Sequence, residues 1–193
     1  MQRSDNKTLR ICFIGIIAAM IMIINYLTPI PFLGTKLRFS NALCALAGLL
    51  LGPWTGLVAA GLGSALYDAI AGYTILEMGI TFISKGAIAM VAGLLAAKVI
   101  RKQEIAGKDF VWVVISCALG ALTNVALYML KTYLFGLYMK GFTLDATLVD
   151  MATKLPGSLI NAAFATIVAP IVYQAVRKPL RKIGVVGEVS VVK

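Results

Sequence analysis

The residues best suited to chemistry lie on one helical face. Glu77, Thr81, Ser84 and Lys85 follow the spacing i, i+4, i+7, i+8, which puts all four on one side of an α-helix. At ~1.5 Å per residue, Lys85 sits about 12 Å along that helix from Glu77. The surrounding sequence is apolar and rich in Gly and Ala. A lysine at that depth in a membrane costs at least ~2.5 kcal/mol unless it is paired or hydrated. Two readings follow. Lys85 either snorkels or pairs structurally with Asp68 or Glu77, or it lines a polar pocket open at one end of a bundle. Three other segments can reach the same pocket. They are Asn124, Tyr128 and Lys131 at i, i+4, i+7, then Lys154, Ser158 and Asn161 likewise, and finally a cluster at the chain's first bend. That cluster holds Asn25 and Tyr26, followed by Lys36, Arg38, Ser40 and Asn41. Tyr67, Tyr73 and Phe39 offer flat surfaces for a ring, or simple packing.

These residues need a scaffold, and the composition says which kind. The chain of 193 residues is 60% hydrophobic and only 13% charged, too little charge for a soluble domain of this size. Apolar runs predict six helices at residues 9–27, 39–51, 54–71, 77–100, 110–137 and 151–176, making residues 1–193 a single transmembrane domain. The fold class is an all-α integral membrane protein, a six-transmembrane-helix bundle. The second helix is too short to cross unaided and must be tilted or sheltered. Residues 28–38, 72–76, 101–108 and 138–150 read as loops, with Pro29 and Pro31 ending the first helix. The first apolar run is too long for a signal-peptide core and has no small-x-small cleavage site after it, so it is expected to be retained.

The net charge of +10 does not indicate nucleic acid, because Lys and Arg cluster at helix ends. Arg3, Lys7, Arg10, Lys98, Arg101, Lys102, Lys108, Arg177, Lys178, Arg181 and Lys182 fall on the side of the termini. Lys36, Arg38, Lys140 and Lys154 fall on the other, with Lys131 near it. The excess places both termini in the cytoplasm. The polar residues then converge on the extracellular half, while the inner half is apolar or small, as suits an outward-facing binding site and not a continuous pore.

Several functions are excluded or disfavoured. There is no histidine, hence no Ser-His-Asp or Cys-His catalysis and no His-containing zinc site. No metal site and no cofactor is expected. Cys12, Cys44 and Cys117 lie in apolar runs without CxxC spacing and read as small core residues. No GxxxxGK[ST] loop is present, so any ATP hydrolysis falls to another chain. Small residues recur at four-residue spacing in Gly56, Ala60 and Ser64, and two turns apart in Gly86 and Gly93, which reads as internal packing. Gly15 and Ala19 sit on a bulky Ile/Met helix instead, where one small face suits a separate membrane partner.

The chain resembles the substrate-binding S components of energy-coupling factor (ECF) vitamin transporters, and within them the riboflavin-transporter-like group. The matching stretches are Pro29-Ile30-Pro31-Phe32, Leu49-Leu50-Leu51-Gly52-Pro53, Gly61-Leu62-Gly63-Ser64-Ala65-Leu66-Tyr67-Asp68, and Phe82-Ile83-Ser84-Lys85-Gly86 followed by Ala92-Gly93-Leu94. Helices 5 and 6 match in length, number and polar placement. The resemblance implies a multi-pass protein of a prokaryotic plasma membrane that is not itself an enzyme. It implies capture of a vitamin-like small molecule at the outer side by the loop after helix 1 and by helices 4 to 6. It also implies a complex with a transmembrane (EcfT-like) coupling subunit and two cytoplasmic ATPases, with the S component toppling to release its cargo. The family's docking signature, Ala-x-x-x-Ala, maps onto Gly15 and Ala19, with the first position changed but still small. Lys and Asn near the pocket suit a flavin, a pantothenate-like acid or another anionic vitamin. The competing reading is a stand-alone secondary transporter or channel using Asp68, Glu77 and Lys85 as an ion relay. The absence of an inverted repeat speaks against it.

Overall fold

The computed structural model describes residues 2–28, 30–32, 35–100 and 107–182. Six helices run through it: α1 (Gln2–Leu27), α2 (Ser40–Leu51), α3 (Pro53–Ile70), α4 (Ile75–Ile100), α5 (Lys108–Leu134) and α6 (Leu144–Lys182). Segments of α1, of α4, of α5 with the turn that follows it, and of α6 are long and apolar enough to cross a membrane. At 12 residues α2 spans only ~18 Å. It is sheltered, with 11 of its residues buried against α3, α4, α6 and α1. The loop expected at residues 101–108 falls largely outside the described residues.

The centre of the bundle is a place where backbones touch. A Cβ on Gly48 of α2 would strike the carbonyl of Ala89 on α4. One on Gly56 of α3 would lie 2.7 Å from the Gly48 Cα, and one on Gly93 of α4 would lie 2.8 Å from the Gly48 oxygen. Three helices therefore meet at van der Waals distance only because these side chains are hydrogen atoms. Ile88, Ala89, Ala92, Ala96 and Cys44 complete this core. The sharp Gly52-Pro53 turn that brings α3 back against α2 places Gly52 at φ +85°, where a side chain would be strained, with Pro53 at the first helical position.

Two expectations need correction. Residues 28–38 are not simply a loop. Strand β1 (Ile30–Phe32) pairs antiparallel with β2 (Thr35–Leu37), with Pro31 opposite Lys36. Strands of three residues are too short to show alternation, and two prolines conceal them further. Residues 138–150 are also more ordered than a loop. After α5 the chain widens into a π-helical turn, Phe135–Met139, and Lys140 N–H donates to the Phe135 carbonyl at 3.0 Å. Helix α6 then starts at Leu144, seven residues earlier than Met151. Its start carries a capping signature: Thr143 Oγ1 accepts from Ala146 N–H at 3.4 Å, and Asp145 sits in the first turn. Prolines do not mark this boundary, since α6 keeps Pro156, Pro170 and Pro179 inside it.

Of the cysteines, Cys44 and Cys117 are buried as expected, but Cys12 is exposed on the outer face of α1. Gly15 and Ala19 are exposed on that same helix. A Cβ on Gly15 would meet nothing within 4 Å among the described residues. Ala18 is the small residue of α1 that packs internally, beneath Gly63 of α3.

Candidate functional site

At one end of the bundle the helices part around a cavity of about 550 Å³, within the range of small-molecule sites. The hairpin supplies Pro31 and Lys36, and the approach to α2 supplies Arg38 and Asn41. The end of α3 supplies Asp68, and the turn after it Tyr73. Ile80, Thr81, Ser84 and Lys85 come from α4. Asn124, Leu127, Tyr128 and Lys131 come from α5, and Ser158 and Asn161 from α6. Helix α1 contributes nothing to the lining.

The spacing on α4 has the expected consequence: Thr81, Ser84 and Lys85 share the cavity wall. Lys85 is buried, and its ammonium donates to Asn41 Oδ1 of α2 at 2.7 Å. Both carboxylates considered as its partners face other cations. Asp68 Oδ1 lies 3.9 Å from Arg38 Nη1, and Glu77 Oε1 lies 3.6 Å from Lys131 Nζ. Arg38 also sits over the Tyr67 ring, 5.2 Å from its centroid, so that tyrosine positions a cation at the rim.

The hairpin is fastened across the cavity by a single amide. Asn161 Oδ1 accepts from Arg38 N–H at 2.7 Å, and Asn161 Nδ2 donates to the Lys36 carbonyl at 3.0 Å. The two bonds satisfy both polar groups of one side chain with backbone from the other end of the sequence. They tie α6 to a segment that lines the cavity.

Thirteen of the pocket candidates meet here: Lys36, Arg38, Asn41, Asp68, Tyr73, Thr81, Ser84, Lys85, Asn124, Tyr128, Lys131, Ser158 and Asn161. Others are placed elsewhere. Asn25 is buried, and its Oδ1 accepts from Ser40 Oγ at 2.6 Å, joining α1 to α2. Glu77 stands beside the lining, bridged to Lys131 and bonded to Thr74. Lys154 turns to Asp150, four residues earlier, at 2.7 Å. Phe39 packs on Phe164 with ring centroids 4.6 Å apart, so of the three rings proposed only Tyr73 lines the cavity. Among the lining residues, sequence reasoning passed over Pro31, Ile80 and Leu127. Ile80 precedes Thr81, and Leu127 follows Asn124 by three, so both share the polar faces. Nothing in their type separates them from apolar residues that face lipid.

This arrangement defines a multi-pass membrane protein with a polar small-molecule cavity at one end of a tightly packed helical bundle. The chain belongs to the family of S components of ECF-type riboflavin transporters, whose sequence profile matches residues 5–178. Its fold is similar to that of a solved S component of a bacterial ECF transporter. The TM-score is 0.63 at 17% identity, over 91% of this chain and 99% of that one. Comparison with curated proteins gives no match. Members of this family are the substrate-specific subunits of ECF transporters. They bind cargo and are not enzymes, and ATP hydrolysis lies with the subunits they associate with.

Proposed function

We propose that this chain captures a vitamin or related small molecule in the cavity described above, from the extracellular side, for ATP-driven import by partner subunits. The observation that carries this reading is the cavity itself, lined in part by a hairpin that one α6 side chain holds in place. The pocket residues proposed to contact cargo are the polar ones that line it, with Glu77 acting through Lys131. The six helices sit in a prokaryotic plasma membrane as one domain, α2 sheltered within it, with both termini in the cytoplasm, as the lysine and arginine asymmetry favours. The coupling subunit docks on the exposed Gly15 and Ala19 face of α1, and two ATPases complete the complex. An ion relay through Asp68, Glu77 and Lys85 is less well supported, because each of the three is engaged with a different group.

The decisive experiment is mass spectrometry of small molecules released from the purified protein, followed by uptake in proteoliposomes. Uptake should need the partner subunits and ATP. Uptake by this chain alone, driven by an ion gradient, would replace this reading with a secondary transporter. Cysteine labelling from outside should modify a probe at residues 140–143 and spare one at Gln103, and the reverse pattern would overturn the orientation.

A further inference from the structure

Lys36, Arg38, Lys85 and Lys131 line the cavity against a single lining carboxylate, Asp68. Two of these cations are answered by protein: Arg38 by Asp68, and Lys131 by Glu77 from beside the cavity. Lys36 lies on an exposed strand, where water can hydrate it. Lys85 differs from all three. It is 8% exposed, and among the described residues its ammonium has one hydrogen-bond acceptor, Asn41 Oδ1. A neutral amide oxygen satisfies one of the ammonium's three donors and none of its charge. Asn41 is itself only 3% exposed, so the pair forms a built, desolvated site. Burying a cation with no carboxylate in contact with it, while Asp68 is paired to Arg38, costs several kcal/mol, and a ligand that fills the cavity without supplying a counter-charge makes that cost worse.

Resting on the reading that the cavity is the cargo site, we propose that its cargo is an organic anion whose carboxylate or phosphate seats on Lys85 beside Asn41. The lining also includes Ile80 and Leu127, which suits an apolar or ring-containing body. An uncharged flavin would leave Lys85 uncompensated, so this chain's cargo differs in charge from the riboflavin of its family's description.

The test uses the purified chain in detergent and calorimetric titration with matched acid and neutral compounds. Pantothenate with panthenol and biotin with biotinamide test a carboxylate, and riboflavin 5′-phosphate with riboflavin tests a phosphate. The compound that co-purifies is identified alongside. The expected result is an anionic co-purifying compound, or at least one acid that binds about 30-fold or more tightly than its neutral partner. Lys85→Met should lose that preference and Lys85→Arg should keep most of it. Lys85→Met could also fail to fold, so Asn41→Asp supplies an independent reading. It sets a carboxylate against Lys85 and should weaken the anion by a similar factor while the protein melts at or above the wild-type temperature. A neutral compound bound equally well by wild type and Asn41→Asp would overturn the anionic cargo and leave the S-component reading standing. A chain that binds no member of any pair and co-purifies with nothing would overturn both.

Discussion

The centre of the bundle and its cavity end are held together by different physics. At the centre, α2, α3 and α4 meet backbone to backbone through Gly48, Gly56 and Gly93. At the cavity end long polar side chains join α4 to α2 and α5, and the approach to α2 to α3: Lys85 to Asn41, Lys131 to Glu77, Arg38 to Asp68. The first kind of contact cannot yield, because there is no side chain to rotate. The second can, because lysine and arginine reach their partners through several rotatable bonds. A single helix, α4, passes from one regime to the other within its length. An adaptable polar end is thereby mounted on a support that does not yield.

The contrast can be broken most severely at Gly48. Gly48→Leu drives a side chain into the α4 backbone, and overpacking of ~1–3 kcal/mol is a lower bound where backbone and not side chain must move. The expected outcome is loss of the folded protein, read as aggregation on size-exclusion chromatography. A Gly48→Leu protein that purifies and melts normally would show that the junction has slack.

The next largest effect is expected at the rim. Asp68 is 3% exposed, and Arg38→Gln leaves its carboxylate without its cation. Truncating one partner of such a pair commonly costs ~2–5 kcal/mol, and adding Asp68→Asn should return most of it. Thermal melts of the two single variants and the double variant measure the coupling. Additive losses would mean the 3.9 Å pair is incidental.

Asn161→Leu should act more locally. It removes two hydrogen bonds to the hairpin, each worth ~1 kcal/mol net, while α6 itself is untouched. Amide exchange at Arg38 should speed up by about 10- to 100-fold, with the global melting temperature nearly unchanged. Unaltered exchange would mean that the hairpin is held by something other than this amide.

The smallest effect on the isolated chain is expected from the same kind of substitution that is most damaging at Gly48. Gly15→Leu with Ala19→Leu places bulk on exposed positions of α1, where a Gly15 Cβ meets nothing within 4 Å among the described residues, so stability should change within ~0.5 kcal/mol and ligand affinity within a fewfold. Co-purification with the coupling subunit should be lost. Loss of ligand binding as well would mean that this face of α1 belongs to the protein's own packing.

Much of this architecture was legible from local pattern. The ratio of apolar to charged residues alone makes this a membrane protein, since 13% charge cannot clothe a soluble surface. The 3.6-residue period put Thr81, Ser84 and Lys85 on one face before any neighbour was known. Tertiary structure decided which partner each polar group takes. Lys85 meets an amide 44 positions away instead of the nearby Glu77, and Asn161 reaches backbone 123 and 125 positions away. It also decided that Gly48 is enclosed and Gly15 open, although both are glycines in apolar helices. Those outcomes depend on how each helix is rotated about its axis and which helix it touches. Rotation is set by the summed fit of all the neighbours, and no short window of sequence contains it.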